Sequence, residues 1–209
     1  MITNHILVTG PEPTMGALST GPLASLTTKL ASKYGIDSFV ETGTFHGDAA
    51  RFAAKLFPRV VTIEIKREYQ AEAILQSPGT NIEFLLGDSA SVLPDVVASL
   101  KGTTLFWLDG HAGAGFYADE DNCPLLSELR AIGTSPHPHV ILVDDARAFL
   151  APCPPPFKFE AWPTLREVLD AACCRFPYYC VVICDCIICV PDTMRMDVVE
   201  FCNEVRPSI

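Results

Sequence analysis

The sequence predicts an α/β fold, a doubly wound and mostly parallel seven-stranded sheet whose last strands form an antiparallel pair. Three observations predict it. From Asp37 onward, short runs rich in β-branched and aromatic residues alternate with segments of helical period, the pattern of a parallel sheet covered on both faces. The first five runs each end in or beside an acidic residue, at the strand ends where open α/β sheets bind ligands. The last apolar stretch, Tyr178 to Val190, is too long for one strand and carries Cys184-Asp-Cys186 at its middle, so it reads as two strands joined by a tight turn.

The first strand is Ser38-Phe-Val-Glu41. The segment behind it places Phe45, Ala49, Phe52 and Leu56 on one helical face and stops before Pro58, which cannot continue a helix. Strand Val60 to Glu64 is followed by a helix from about Arg67 to Gln76, closed by Ser77-Pro-Gly79. Strand Ile82 to Leu86 leads to a helix with Val92, Val96, Val97 and Leu100 inward, where Pro94 is tolerable if it falls in the first turn. Strand Thr104 to Leu108 ends in Asp109-Gly-His111. A polar loop containing Gly113, Gly115, Phe116 and Tyr117 then runs to Asn122, the expected cap of a helix carrying Leu125, Leu126, Leu129 and Ile132. Strand Val140 to Val143 ends in Asp144-Asp145, and a Pro-rich passage through Pro156 precedes a helix starting near Trp162-Pro163. Residues 1–36 hold turn signals and a weakly amphipathic helix from Leu23 to Tyr34, expected to cap or lid the pocket; residues 37–209 form the one domain the length allows.

With a formal charge of −10 and no offsetting Lys/Arg stripe, the chain would repel phosphate backbones and anionic lipid. Nucleic acid and membrane are therefore excluded as expected partners, and a small molecule or neutral polymer is favoured; a homo-oligomer stays open. No apolar run approaches the ~20 residues that cross a bilayer, and Met1-Ile-Thr-Asn-His5 lacks the order of a secretion signal. A cytoplasmic location is expected. Nine cysteines allow two readings: buried thiols serving as small apolar side chains, or a zinc site built from Cys184, Cys186 and Cys189, whose spacing matches no standard ligand pair.

The loop after the first strand, Glu41-Thr-Gly43-Thr-Phe-His-Gly47, would let backbone approach a ligand at a helix start. A tight turn without a ligand explains the same glycines. Glu64 closes the second strand about 20 residues after that loop, the distance at which an acid can accept from a ribose diol. Gly87-Asp88-Ser89 closes the third strand, where a carboxylate or its neighbouring amides could meet an adenine amino group. Singly, each acid could equally be a helix cap. The carboxylate at Glu41 occupies the first-glycine position of a dinucleotide fingerprint, where it would repel a pyrophosphate and suit a cationic ligand.

Read together, Glu41-Thr-Gly-Thr-Phe-His-Gly-Asp48, Ile63-Glu64, Gly87-Asp-Ser89, Trp107-Leu-Asp-Gly-His111 and Val143-Asp-Asp145 resemble class I S-adenosyl-L-methionine-dependent methyltransferases. The resemblance is greatest to macrocin-type sugar O-methyltransferases and their uncharacterised relatives, and spans about residues 37 to 190. It implies a Rossmann-like methyltransferase fold. It also implies that the loop with Glu41, Thr42, Gly43, Thr44 and Gly47 binds the methionine moiety, that Glu64 and Ile65 meet the ribose, and that Gly87, Asp88, Ser89 and Asp109 complete the cofactor site. In place of the usual Gly-x-Gly the chain has Thr42-Gly-Thr44.

Methyl transfer is an in-line displacement from a sulfonium, so an acceptor hydroxyl must be aligned and helped to lose its proton. Asp109, Asp144 and Asp145 end neighbouring strands, and three converging carboxylates suit a hard divalent cation such as Mg2+, able to lower a hydroxyl pKa. The Asp144-Asp145 pair creates like-charge repulsion that a cation would relieve. His111, with Asp109, is the expected catalytic group, an imidazole being suited to proton removal near neutrality. Alternatively Asp145 caps a turn and His111 is a loop hydrogen-bonder. The run Asp119-Glu-Asp121 reads as a solvated helix entry. The expected function is O-methylation of a sugar or glycosylated small metabolite, against a metal-independent methyltransferase or a nucleoside-binding protein without catalysis.

Overall fold

The computed structural model describes residues 17–112, 123–153 and 157–206. Seven strands form one sheet: β1 (Ser38–Thr42), β2 (Arg59–Glu64), β3 (Ile82–Leu86), β4 (Thr104–Leu108), β5 (Val140–Val143), β6 (Tyr178–Ile183) and β7 (Cys186–Pro191). Their order is β3-β2-β1-β4-β5-β7-β6. β1 pairs in parallel with both β2 and β4, Val40 facing Val61 on one side and Phe106 on the other. The strand order therefore reverses at β1, the place where such sheets open a crevice beyond their carboxyl ends. β4 and β5 are buried at every position, as continuous apolar runs inside a two-faced sheet must be.

β7 runs antiparallel to β5 and to β6. The turn is Cys184-Asp185, both with positive φ, the conformation that matches the twist of a two-residue hairpin. Alternation along the hairpin sends Cys184 and Cys186 to one core face and Cys189 to the other, so the expected zinc alternative has no common ligand point. All nine cysteines are free thiols.

Helices cover both faces: α1 (Pro22–Tyr34), α2 (Asp48–Ala53), α3 (Arg67–Leu75), α4 (Ser89–Ala98), α5 (Leu125–Ile132), the short α6 (Arg147–Leu150), α7 (Leu165–Ala172) and α8 (Arg195–Val205). One core packs Leu23, Leu26 and Leu30 of α1 against Phe39, Trp107 and Ile188; the other packs Leu93, Leu129 and Val168 against Val40, Phe106 and Ile141. Pro22 opens α1, and Gly35 at φ 59 closes it by donating to Ala31 O, the left-handed cap glycine allows. Asp197 of α8 is 2% exposed and accepts from Lys33 at 2.8 Å and from Tyr34 at 2.6 Å, with Lys29 at 3.3 Å. Burial pushes its carboxyl up, but those three donors outweigh it and hold it at about 2.

Several expected boundaries move. Phe45 lies outside the helix behind β1, in a left-handed turn at φ 47 and 41% exposed; the buried stripe is Ala50, Ala53 and Phe57, one residue out of phase with the expected one. Asp88 caps α4 by accepting from Ala90 at 3.1 Å, so Pro94 falls in the second turn. It is tolerated there because it lies on the exposed side, with Leu93, Val96 and Val97 turned inward. The helix after the Pro-rich passage starts at Leu165, set by a reciprocal Thr164–Glu167 capping box and not by Trp162-Pro163. The expected cap Asn122 and the loop residues Gly113, Gly115, Phe116, Tyr117 and Asp119 to Asp121 lie outside the described residues. Among the described residues no helix is long and apolar enough to cross a membrane.

Candidate functional site

Backbone hydrogen bonds carry the sheet one step past its strands. Gly43 N–H donates to Ile63 O, Gly87 to Glu64 O, Asp109 to Thr42 O and Asp144 to Leu108 O, at 2.9 to 3.1 Å. This aligns the residues that follow β1, β3, β4 and β5 along one rim. Gly43 sits at φ 85, and a Cβ there would lie 2.3 Å from the Asp109 carbonyl oxygen, so the β1 and β4 loops can touch because residue 43 has no side chain.

Beyond the rim lies a cavity of about 330 Å3 bordered by Glu41, Gly43, Thr44, Phe45, His46, Asp48, Trp107, Asp109, Asp144, Asp145 and Arg147, with Ala17 to Ser19 on the side of α1. Its size falls at the low end of ligand pockets. Glu41 forms its buried floor. Thr62 donates to Glu41 Oε2 at 2.5 Å, and Thr44 lies 2.6 Å from Thr62, so the Thr44 hydroxyl must donate to Thr62. Burial raises the Glu41 carboxyl to about 8 against the opposing Thr62 hydrogen bond. A cation beside it would favour the ionised form.

Phe45 supplies what a second glycine would. Its left-handed backbone turns its N–H onto Glu64 Oε2 at 2.9 Å, while Glu64 Oε1 accepts from Lys66 N–H at 2.9 Å. Glu64 thus clamps the loops after β1 and β2, and among the described residues each oxygen keeps one acceptor position open. Glu64, Gly87, Asp88 and Ser89 lie on the rim at the ends of β2 and β3 but do not border the cavity; Ile65 is 50% exposed beside them. Gly47, in a left-handed turn, opens α2. Thr42 is buried, its hydroxyl beside Glu128 of α5.

Asp109 and Asp145 stand at the far wall, and with His111, which does not itself border the cavity, they offer ligand atoms that all lie within 4.8 Å of one another. His111 Nε2 is 3.3 Å from Asp145 Oδ2, and its ring, nearly buried, packs edge-on against Phe149 and Trp162. The His111 hydrogen bond lowers the Asp145 carboxyl, with Arg147 assisting against burial. Burial raises Asp109 well above the carboxylate range, and the charges of Asp144 and Asp145 add to it. Asp144 is raised to about 7 by burial, although it accepts the Asp145 N–H at 2.8 Å. Asp144 borders the same cavity but stands outside the Asp109–His111–Asp145 group. Two carboxylates and an imidazole are a donor set suited to a divalent ion.

Solved structures of methyltransferases share this architecture. The O-methyltransferase TomG of Streptomyces achromogenes, involved in tomaymycin synthesis and solved with S-adenosylmethionine, is 19% identical and superposes with a TM-score of 0.58 over 89% of this chain and 92% of its own. The Bacillus cereus O-methyltransferase in complex with S-adenosylhomocysteine is 16% identical, with a TM-score of 0.58 over 81% of each chain. Podospora anserina methyltransferase PaMTH1, with S-adenosylhomocysteine bound, is 17% identical, with a TM-score of 0.55 over 81% of this chain and 76% of its own. The fold is the Rossmann-like methyltransferase fold. No protein-family model and no curated sequence matches the chain.

Within this fold, two residues at the site escaped the sequence reading. Glu128 of α5 is 1% exposed, and burial pushes its carboxyl up against the pull of the Ser89 and Thr42 hydroxyls. Its Oε1 would lie 3.1 Å from a Cβ on Gly110. A signal existed: Glu128 stands inside the inward stripe Leu125, Leu129 and Ile132, where a charged residue is out of place. Arg147, which pairs with Asp145 at 2.7 Å, gave no signal, since its partner is chosen by the turn between them.

Proposed function

We propose that this chain is an S-adenosylmethionine-dependent O-methyltransferase acting on a hydroxyl of a sugar or glycosylated small metabolite, with a divalent cation such as Mg2+. The observation that carries the reading is one cavity whose floor is the buried acid Glu41 and whose far wall carries Asp109, Asp144 and Asp145, with His111 packed behind Asp145. A cationic cofactor and an acceptor proton each find a partner in it. The neighbours solved with S-adenosylmethionine or S-adenosylhomocysteine support the choice of cofactor.

Glu41, with its proton-donating Thr44–Thr62 relay, suits the ammonium of a methionine moiety, which would draw off the proton that burial holds on the acid. Glu64 faces the rim where a ribose diol would lie, and Asp88 and Ser89 are the groups nearest an adenine beyond it. Asp109, Asp144 and Asp145 would hold the cation, which would supply polarisation of two acceptor oxygens and a lower hydroxyl pKa. His111 is oriented by Asp145 and by the Phe149 and Trp162 rings, an arrangement in which an imidazole can take a proton and share its charge with a carboxylate. Residues 17–19 of the N-terminal cap close the cavity from the side of α1.

The arginine already seated on Asp145 favours a second reading, transfer without a metal in which His111 or Asp109 acts alone. Radiolabelled methyl transfer to a panel of sugars and glycosides, with and without chelator, separates the two. Transfer abolished by chelator supports the first reading, and chelator-insensitive transfer the second.

A further inference from the structure

Asp145 has left-handed backbone at φ 52, a conformation that a non-glycine residue keeps only when its surroundings enforce it. The enforcement comes from the tip of the β6–β7 hairpin. Asp185 accepts the Ala146 N–H through its carbonyl at 2.8 Å and the Arg147 N–H through Oδ1 at 3.0 Å. Arg147 then returns over the turn: Nη2 meets Asp145 Oδ1 at 2.7 Å, and Nη1 forms a close ion pair with Asp185 Oδ2.

Each oxygen of Asp145 thereby has one partner, Oδ1 Arg147 and Oδ2 His111. A lone pair is left on each, but a cation bound through Asp145 would stand against the positive charge of the guanidinium. The imidazole is nearly buried and packed against Phe149 and Trp162, whereas the Arg147 side chain is 66% exposed, and exposed ion pairs hold weakly. Arg147 is also the partner with a second seat, because Asp185 retains Nη1 when Nη2 leaves.

We infer that Arg147 is a built-in counter-cation of Asp145 that a divalent ion must displace, so that this arginine, seated by Asp185, sets the cation affinity of the site. The inference rests on the cation reading above. While no ion is bound, the guanidinium neutralises Asp145 and keeps its turn in place. The site is then a cation exchanger and not a vacant acidic cup, and its occupancy depends on ionic strength.

The test is titration of the intact protein with Mn2+, read by electron paramagnetic resonance of the free ion, for the wild type, Arg147→Ala, Arg147→Gln and Asp109→Asn. Both Arg147 variants are expected to bind Mn2+ about five- to ten-fold more tightly than the wild type, the range of a modest coupling between two ligands of one site. Asp109→Asn is expected to lose binding. A loosened loop would lower affinity, so a gain cannot come from structural damage, and Arg147→Gln retains most of the side-chain stem should the alanine variant misfold. Unchanged or weaker Mn2+ binding in the folded Arg147 variants overturns the inference and leaves the cation reading standing. Absence of binding in the wild type and both Arg147 variants overturns both.

Discussion

The Thr62 hydroxyl donates to Glu41 Oε2 across 2.5 Å beneath the cavity floor. The two residues come from neighbouring parallel strands, directly paired in register, so the contact is built into the sheet itself. It gives a buried acid one neutral donor, too little to keep it ionised, and the carboxyl stands at about 8 in place of 4.5. A proton is thus stored where the cofactor reading places a cation.

The stored proton makes stability depend on pH. Between about 4.5 and 8 the folded chain holds a proton at Glu41 that the unfolded chain releases, so the stabilisation is complete below that window and is lost as pH rises through it. The slope for such a group approaches about 1.4 kcal/mol per pH unit. Asp144, raised to about 7, acts in the same direction. Urea unfolding from pH 5 to 8.5 is expected to show a falling midpoint for the wild type and a flatter one for Glu41→Gln. Equal slopes would refute the assignment to Glu41.

Gly43→Ala is expected to destabilise the chain by about 2 kcal/mol or more, since it combines a positive φ with a steric clash. The added Cβ would fall 2.3 Å from the Asp109 carbonyl oxygen and force the β1 and β4 loops apart. Thermal unfolding measures the loss, and S-adenosylhomocysteine binding should weaken with it. A variant as stable as the wild type would mean that the loops do not meet.

Asp197→Ala is expected to cost about 2–3 kcal/mol, because it removes hydrogen bonds from charged donors at a buried acid. Lys33, Lys29 and Tyr34 would lose their partner, loosening α1 and the cavity wall it carries. Here the folded pKa of about 2 lies below the ordinary 3.8, so the contribution is present above about pH 4 and fades as pH falls towards 2. Denaturation at pH 7 and at pH 2.5 should therefore give a smaller difference between variant and wild type at the lower pH.

His111→Asn is expected to keep S-adenosylhomocysteine binding while lowering methyl transfer by about 10²–10⁴-fold, the usual contribution of a general base. Turnover and calorimetric affinity measured on the same preparation check it. Full activity in the variant would remove the imidazole from the proposed chemistry.

The strands and the acids at their ends were legible because period and composition are local properties: all seven strands fall where the β-branched and aromatic runs stand, and the Cys184-Asp185 turn where the last run must fold back. Helix starts were less legible because single side-chain contacts decide them. Thr164 and Glu167 set α7 through their reciprocal bonds, and Asp88 sets α4 early enough to leave Pro94 in its second turn. Phe45 could not be foreseen, since its left-handed backbone is imposed by Glu64 from the next strand. Arg147 is the same kind of case, its direction fixed by Asp185 some forty residues on. Glu128 was visible in the helical pattern but not its neighbours, which belong to β1 and to the loops after β3 and β4.

Calorimetric titration of the purified chain with S-adenosylhomocysteine, alongside Glu41→Gln, reads the cofactor site without turnover. Saturable binding at one site is expected, with an affinity on the order of micromolar, and it should weaken when the charge at position 41 is removed. An absence of binding heat across several temperatures, in a wild-type chain shown to be folded, would contradict the cofactor reading.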